Sequence, residues 1–467
     1  LKEKIIQELK SIVGAENLYT SLEERVCYSY DATNQRYLPE AVARPISAQE
    51  ISAILKLANR EHIPLVPRGA GSGFTGGSLP VEGGIALVLT RMKRILEIDR
   101  ENLTALVEPG VVTGDLQRTV EAWGLFYPPD PNSLNFCTLG GNVAENAGGP
   151  RAVKYGVTKD YVLGLEVVLP TGEIIHTGAR TVKSVVGYDL TRLMVGSEGT
   201  LGVVTQILLR LIPKPEAVLT MRAFFPTVQQ AARAITQIIA CKIVPSTLEF
   251  MDRSALRCVE EGLGLGLPLD AEALLLIEVD GEGESLPKQA EKIKELCRQE
   301  GAQEFNLARN TQEREDLWKA RRNISPSLAR LGPTKVNEDI TVPRSKLPEI
   351  LSAIREIAGR YQLTIVTYGH AGDGNLHVNI MTDKNKIEEM KRVGRAVEEL
   401  FAATLALGGT ISGEHGIGIS KAPYLSMELS TQTINVMRKI KEVLDPNNIL
   451  NPGKIFYSPK AGVATHV

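Results

Sequence analysis

A glycine-rich loop behind a short strand limits this chain more than any other feature. "IPLVP" (63–67) reads as a buried strand, and Arg68 to Ser78 ("RGAGSGFTGGS") after it is nearly all backbone. The run from Gly71 to Gly76 matches GxGxxG, the spacing of a dinucleotide-binding loop. That fold needs the glycines to open a helix whose N-terminus holds the pyrophosphate. Here Gly77 and Pro80 follow, then another strand ("GGIALVLTRM"). The context argues against a Rossmann domain. What stays is a loop whose N–H groups form a nest around phosphate oxygens.

Two further glycine sets, "TLGGNVAENAGG" (138–149) and "VGSEGTLGVVT" (195–205), offer similar exposed backbone. Three such loops suit a long, bent, diphosphate-bearing ligand. Around them, "ISAQEISAILKLANREHI" has helical periodicity, with Ser47 placed to cap and Glu50 three residues on. "VTGDLQRTVEAWGL" reads as a helix capped by Thr113 and closed by Gly124. Residues 126–162 lack a regular pattern and read as a long functional loop. "VLGLEVVLPTGEIIHTG" reads as a hairpin turning at "PTGE". "PKPE" (213–216) marks a boundary, beyond which helices and strands alternate in a smaller α+β unit.

The chain of 467 residues is long enough for two or three domains. With 53 basic against 55 acidic residues and no basic block, a nucleic-acid partner is not supported. Five widely spaced cysteines without a CxxC pair encode neither a disulfide framework nor an iron–sulfur site, and a reduced cytoplasmic setting is expected. The opening segment reads as an amphipathic helix rather than a signal peptide. No apolar run reaches transmembrane length, which leaves membrane contact through a partner open.

"PRGAGSGFTGGS", "PPDP", "TLGGNVAENAGGPRAVKYG" and "VGSEGTLGVVT" resemble the FAD-binding domain of the vanillyl-alcohol oxidase/PCMH flavoproteins. "GHAGDGNLHVN", "SGEHGIG" and "NPGKI" resemble the C-terminal domain of FAD-linked D-2-hydroxy-acid dehydrogenases. That group includes D-lactate dehydrogenases, the flavin subunit of glycolate oxidase and D-2-hydroxyglutarate dehydrogenase. The resemblance implies an α+β fold. A PCMH-type FAD-binding domain of two α+β subdomains would span 1–215, with N-terminal helices in 1–38. A substrate or cap domain with an antiparallel sheet and a metal site would span 216–440, and 441–467 would return to the first domain.

By the same resemblance, Pro67, Arg68, Gly69, Ala70, Gly71, Ser72, Gly73, Gly77 and Ser78 line FAD. Asp130, Pro131, Thr138, Gly141, Asn142, Asn146, Gly148, Gly149, Tyr155 and Gly156 join them, with Glu198, Gly202, Val203 and, from the tail, Asn451. Covalent members carry a histidine four residues after the arginine. Ser72 stands there, so FAD is expected to be held non-covalently. Cys137 is read as a small buried side chain rather than a second attachment point.

Two of the six histidines, His370 and His377, flank the turn sequence "AGDGN", and His415 follows Glu414 between glycines. Imidazole plus carboxylate is the ligand set of a catalytic Zn²⁺, Mn²⁺ or Fe²⁺. His370, His377 and Glu414 are therefore candidate ligands, and Asp373 is read as a turn residue. The resemblance makes His415 the base for a substrate hydroxyl. It places a carboxylate-binding arginine at Arg321 and further substrate contacts at Ser325, Lys335 and Asn379, while Arg322 is read as solvated. The expected reaction is oxidation of a D-2-hydroxy acid, D-lactate or glycolate first, by hydride transfer to flavin N5. D-2-hydroxyglutarate is an alternative substrate, and an oxidase using O₂ an alternative type. The chain carries no electron-transfer motif, so an iron–sulfur subunit, an electron-transfer flavoprotein or a quinone would take the electrons.

Overall fold

The computed structural model describes residues 1–33 and 35–456, and the chain forms two compact units. The first comprises 1–148, 157–214 and 414–456. The second comprises 149–156 and 215–413. The return to the first unit at Glu414 comes well before the expected 441. The remainder of the expected 441–467 segment, from 457, lies outside the described residues. Among the described residues no helix is long and apolar enough to cross a membrane.

In the first unit, extended Ser47 accepts the Glu50 amide at 3.2 Å and starts the helix Ala48–Glu61 where the motif places it. Ile51, Ile54, Leu55 and Ala58 of that helix are fully buried, at about 2 kcal/mol for each large side chain. The helix links Ala41–Ala43 to Leu65–Arg68, and both strands pair in parallel with Ile85–Val88. No helix lies between Leu65–Arg68 and Ile85–Val88, so the GxGxxG match stays a loop.

The second sheet of this unit is antiparallel. Its order is Ile95–Asp99, Thr104–Val107, Val203–Arg210, Val162–Val168, Ile174–Gly178. Laid flat, its outer strands would stand about 19 Å apart. Arg180, just past one edge, nevertheless makes two 2.8 Å bonds to Glu97 on the other edge strand. The sheet is therefore strongly rolled.

Two local expectations are corrected. The irregular stretch 126–162 contains the helix Leu139–Glu145 and the short turn of helix Ala152–Tyr155. Leu139 and Val143, four apart and both buried, drive the first, an apolar pair masked in the sequence by its glycines. The helix Thr113–Glu121 is preceded by Val112 as its cap. Thr113 lies inside it, and its hydroxyl accepts from Asn142 at 2.6 Å.

The second unit is built on a seven-stranded antiparallel sheet. Its order is Glu304–Leu307, Ala217–Phe225, Ala273–Gly281, Thr247–Asp252, Thr364–Gly369, Asn375–Thr382, Thr334–Thr341. Phe250, Leu275, Ile277, Val378 and Ile380 are buried on one face. By the alternation of a strand, Glu249, Glu278, Tyr368, His377 and Asp339 point to the other. Helix Thr311–Arg322 is tied to this polar face. Its Arg314 and Trp318 both donate to Glu278, at 2.8 Å each.

Candidate active site

In the second unit, "YGHAGDGNLHVN" folds as a hairpin around the expected turn, with Tyr368 opposite His377. Asp373 acts as a turn residue, its Oδ1 accepting the Asn375 amide at 3.2 Å. The turn presents His370 and the strand presents His377. Their Nε2 atoms stand 3.4 Å apart with the rings at 89°, and both residues are buried. Two imidazole nitrogens bound to one tetrahedral ion at roughly 2.0–2.1 Å would lie about 3.3–3.4 Å apart. The pair fits adjacent ligands of a single cation.

Glu249, fully buried on the strand Thr247–Asp252, reaches both histidine and arginine. His370 Nδ1 lies 2.6 Å from its Oε1, and Arg321 Nε donates to its Oε2 at 2.5 Å. Burial alone would raise the Glu249 carboxyl. Arg321 and His370, by charge and hydrogen bond, more than offset that and hold it below the usual range. The Arg321 guanidinium lies 4.8 Å from the centre of the Tyr368 ring. Its Nη2 is buried and has no hydrogen-bond partner among the described residues, an open donor suited to an anionic group.

Next to His377 in the sheet is Asp339, fully buried, with Oδ1 4.0 Å from His377 Nδ1. It accepts from Asn375 Nδ2 at 2.5 Å and from the Gly413 amide at 2.9 Å. Lys335 donates to Ser325 at 3.0 Å, and burial lowers its pKa. Asn379 is committed to the sheet, donating to Val366 and His377 carbonyls and accepting from Asn337 at 2.7 Å. Arg322 is exposed beside Glu315, as read. Tyr155 also belongs to this unit, where its hydroxyl donates to Asp280 at 2.9 Å.

Glu414 and His415 lie in the first unit, outside the expected substrate domain. His415 is seated on the glycine loop. Its ring is 5.2 Å from that of Phe74, and Thr75 donates to its carbonyl at 3.2 Å. Glu414 covers Gly148, where a Cβ would come within 2.7 Å of its Oε2. The Glu198 carboxylate accepts the Ile417 and Gly418 amides at 2.7 and 2.6 Å. Glu198 thus anchors the loop carrying His415, a use its motif did not suggest. Burial pushes its pKa up, and burial with the neighbouring Glu198 does the same to Glu145. Gly416 has φ 82°, and a Cβ there would strike both carboxylates, 3.0 Å from Glu198 Oε1. Gly416→Ala is expected to lower unfolding free energy by about 1–3 kcal/mol, read from urea denaturation. Parental stability would mean that the loop is not held as described.

The glycine loop itself is closed by Arg68, which donates to Tyr30 O at 2.7 Å and Ser78 Oγ at 3.2 Å. Around Gly73 the backbone is open. From the tail, Asn451 Nδ2 donates to Gly77 O at 2.9 Å and Glu198 O at 2.7 Å. Its Oδ1 is buried without a hydrogen-bond partner among the described residues, a demand that a donor on a bound group would meet. These residues fit a nest-bound cofactor. Cys137 is buried with its thiol 3.4 Å from Thr113 Oγ1, and burial raises its pKa, as for a structural thiol.

Sequence reasoning missed Glu249, Asp339 and Glu278. The available signal was an acidic residue at an inward position of an otherwise apolar strand, as in "TLEFM" and "LLIEV".

Residues 39–178 match the FAD binding domain family, and 214–455 match the C-terminal domain of FAD linked oxidases. The glycolate oxidase subunit GlcD of Bacillus subtilis is 50% identical over 457 residues, covering 98% of this chain and 96% of that protein. D-lactate dehydrogenase of Anaerostipes hadrus is 39% identical, over 90% of each chain. Among solved structures, p-cresol methylhydroxylase with substrate bound superposes with a TM-score of 0.81 at 17% identity, covering 97% of this chain and 96% of that one. The first unit carries most of the FAD binding domain match, and the chain has the PCMH-type flavoprotein fold. FAD is its cofactor, and it is an oxidoreductase. The chain belongs to the FAD-linked oxidases.

Proposed function

We propose that this chain oxidises a small D-2-hydroxy acid, D-lactate or glycolate, to the 2-oxo acid, using non-covalent FAD and one divalent cation. The observation that carries the reading is the buried His370–His377 pair with Arg321 beside it, joined through Glu249. The relatives named above, a glycolate oxidase subunit and a D-lactate dehydrogenase, agree in substrate class.

In this reading His370, His377 and Glu414 hold Zn²⁺, Mn²⁺ or Fe²⁺. Chain continuity supports Glu414 as third ligand. It directly follows Gly413, whose amide is bound by Asp339, the cross-strand partner of His377. When bound, the cation lowers the pKa of the substrate hydroxyl and FAD accepts the C2 hydrogen as hydride. Arg321 holds the substrate carboxylate through its uncommitted Nη2. His415 takes the hydroxyl proton. Lys335 and Ser325, hydrogen-bonded to each other, border the same sheet face and are further contacts for the acid.

Electrons then leave to a partner: an iron–sulfur subunit, an electron-transfer flavoprotein or a quinone. Anaerobic bleaching of the visible flavin band with a panel of D- and L-2-hydroxy acids tests the activity. Loss of colour with L-lactate but not with D-lactate or glycolate would overturn the assignment. Ser72 and buried Cys137 support non-covalent flavin, so acid precipitation should release the yellow colour to the supernatant. Colour retained in the pellet would contradict it.

A further inference from the structure

We infer that Glu249 is a positioning residue serving two groups at once, fixing the tautomer of His370 and aiming Arg321. This rests on the roles proposed above for those two residues. A buried carboxylate without a proton can only accept. With Oε1 2.6 Å from His370 Nδ1, it places the histidine's proton on Nδ1. The lone pair is then on Nε2, the atom 3.4 Å from His377 Nε2. The other oxygen of the same carboxylate takes Arg321 Nε at 2.5 Å, with the guanidinium over the Tyr368 ring. That leaves Nη2 as the donor still to be used.

The arrangement is locked from both sides. Glu249 lies on a central strand of the sheet, flanked by Ala273–Gly281 and Thr364–Gly369. The helix that carries Arg321 is held one and two turns earlier by Trp318 and Arg314 on Glu278. Both partners of Glu249 are buried. One carboxylate therefore ties the coordination geometry of an imidazole to the orientation of the substrate's counter-ion. Outer partners of this kind orient ligands and raise their basicity.

The experiment uses the full-length FAD-bound protein labelled with ¹⁵N-histidine. Six histidines make two-bond ¹H–¹⁵N spectra assignable, with His370→Asn locating the His370 signals. The expected wild-type result, before any metal is added, is a His370 ring protonated at Nδ1. A ring protonated at Nε2 alone would overturn the inference, and this measurement needs no Glu249 variant to fold. Glu249→Gln keeps the shape but pairs a donor with one of the two neighbours. In that variant Mn²⁺ affinity, titrated calorimetrically into metal-stripped protein, should fall roughly 10- to 100-fold. The KM for D-lactate or glycolate should rise together with it. Wild-type Mn²⁺ affinity and unchanged KM in the variant would also overturn the inference. Failure of the broader reading looks different: no Mn²⁺ uptake by the wild type, with the His370 tautomer still set by Glu249.

Discussion

Stripping the divalent cation with EDTA, or replacing His377 by alanine, is expected to cut turnover on D-lactate or glycolate roughly a thousandfold. That is the scale of several kcal/mol of Lewis-acid stabilisation. The visible flavin band should survive both treatments, because the glycine loop, Asn451 and the Thr138–Gly148 segment belong to the other unit. Re-addition of Zn²⁺ or Mn²⁺ should restore the stripped wild type but not the variant. The measurement is steady-state reduction of an artificial electron acceptor alongside the flavin spectrum. Full turnover in metal-free protein would remove the cation from the mechanism.

Arg321→Lys is expected to raise the KM for the acid about 10- to 100-fold, with kcat changed much less. The expectation follows from losing a charge-assisted bond of about 1.5–3 kcal/mol. The lysine ammonium can neutralise buried Glu249 or reach a substrate carboxylate, but its single point of charge cannot do both. A neutral replacement is a poorer probe. It leaves Glu249 buried and uncompensated, at about 3–5 kcal/mol of stability. Steady-state kinetics on the purified flavoprotein decide the matter, and an unchanged KM would take Arg321 out of substrate binding.

The legible parts of this protein were the local ones. Ser47 and Glu50 start their helix because the cap needs only neighbours three residues apart. The hairpin through "AGDGN" brings His370 to His377 because turn residues and strand alternation act within a dozen positions. The glycine loop stays a loop because Gly77 and Pro80 forbid the helix that a Rossmann fold requires. The helix Leu139–Glu145 escaped notice because its two apolar anchors are diluted by glycine and asparagine.

The ionic centre was not legible. Glu249 meets Arg321 across 72 positions and His370 across 121, and Thr75 meets His415 across 340. Nothing in a strand such as "TLEFMD" states which cation will neutralise its carboxylate.

The amino-acid sequence by itself determined the family, the cofactor and the turn between two histidines. Only the tertiary structure decided that Glu249 joins Arg321 to one of those histidines, and that His415 is seated on the glycine loop. The reason is physical. Turns and caps are settled by torsions and hydrogen bonds within a few residues. A buried charge is stable only beside a partner that packing brings from elsewhere in the chain.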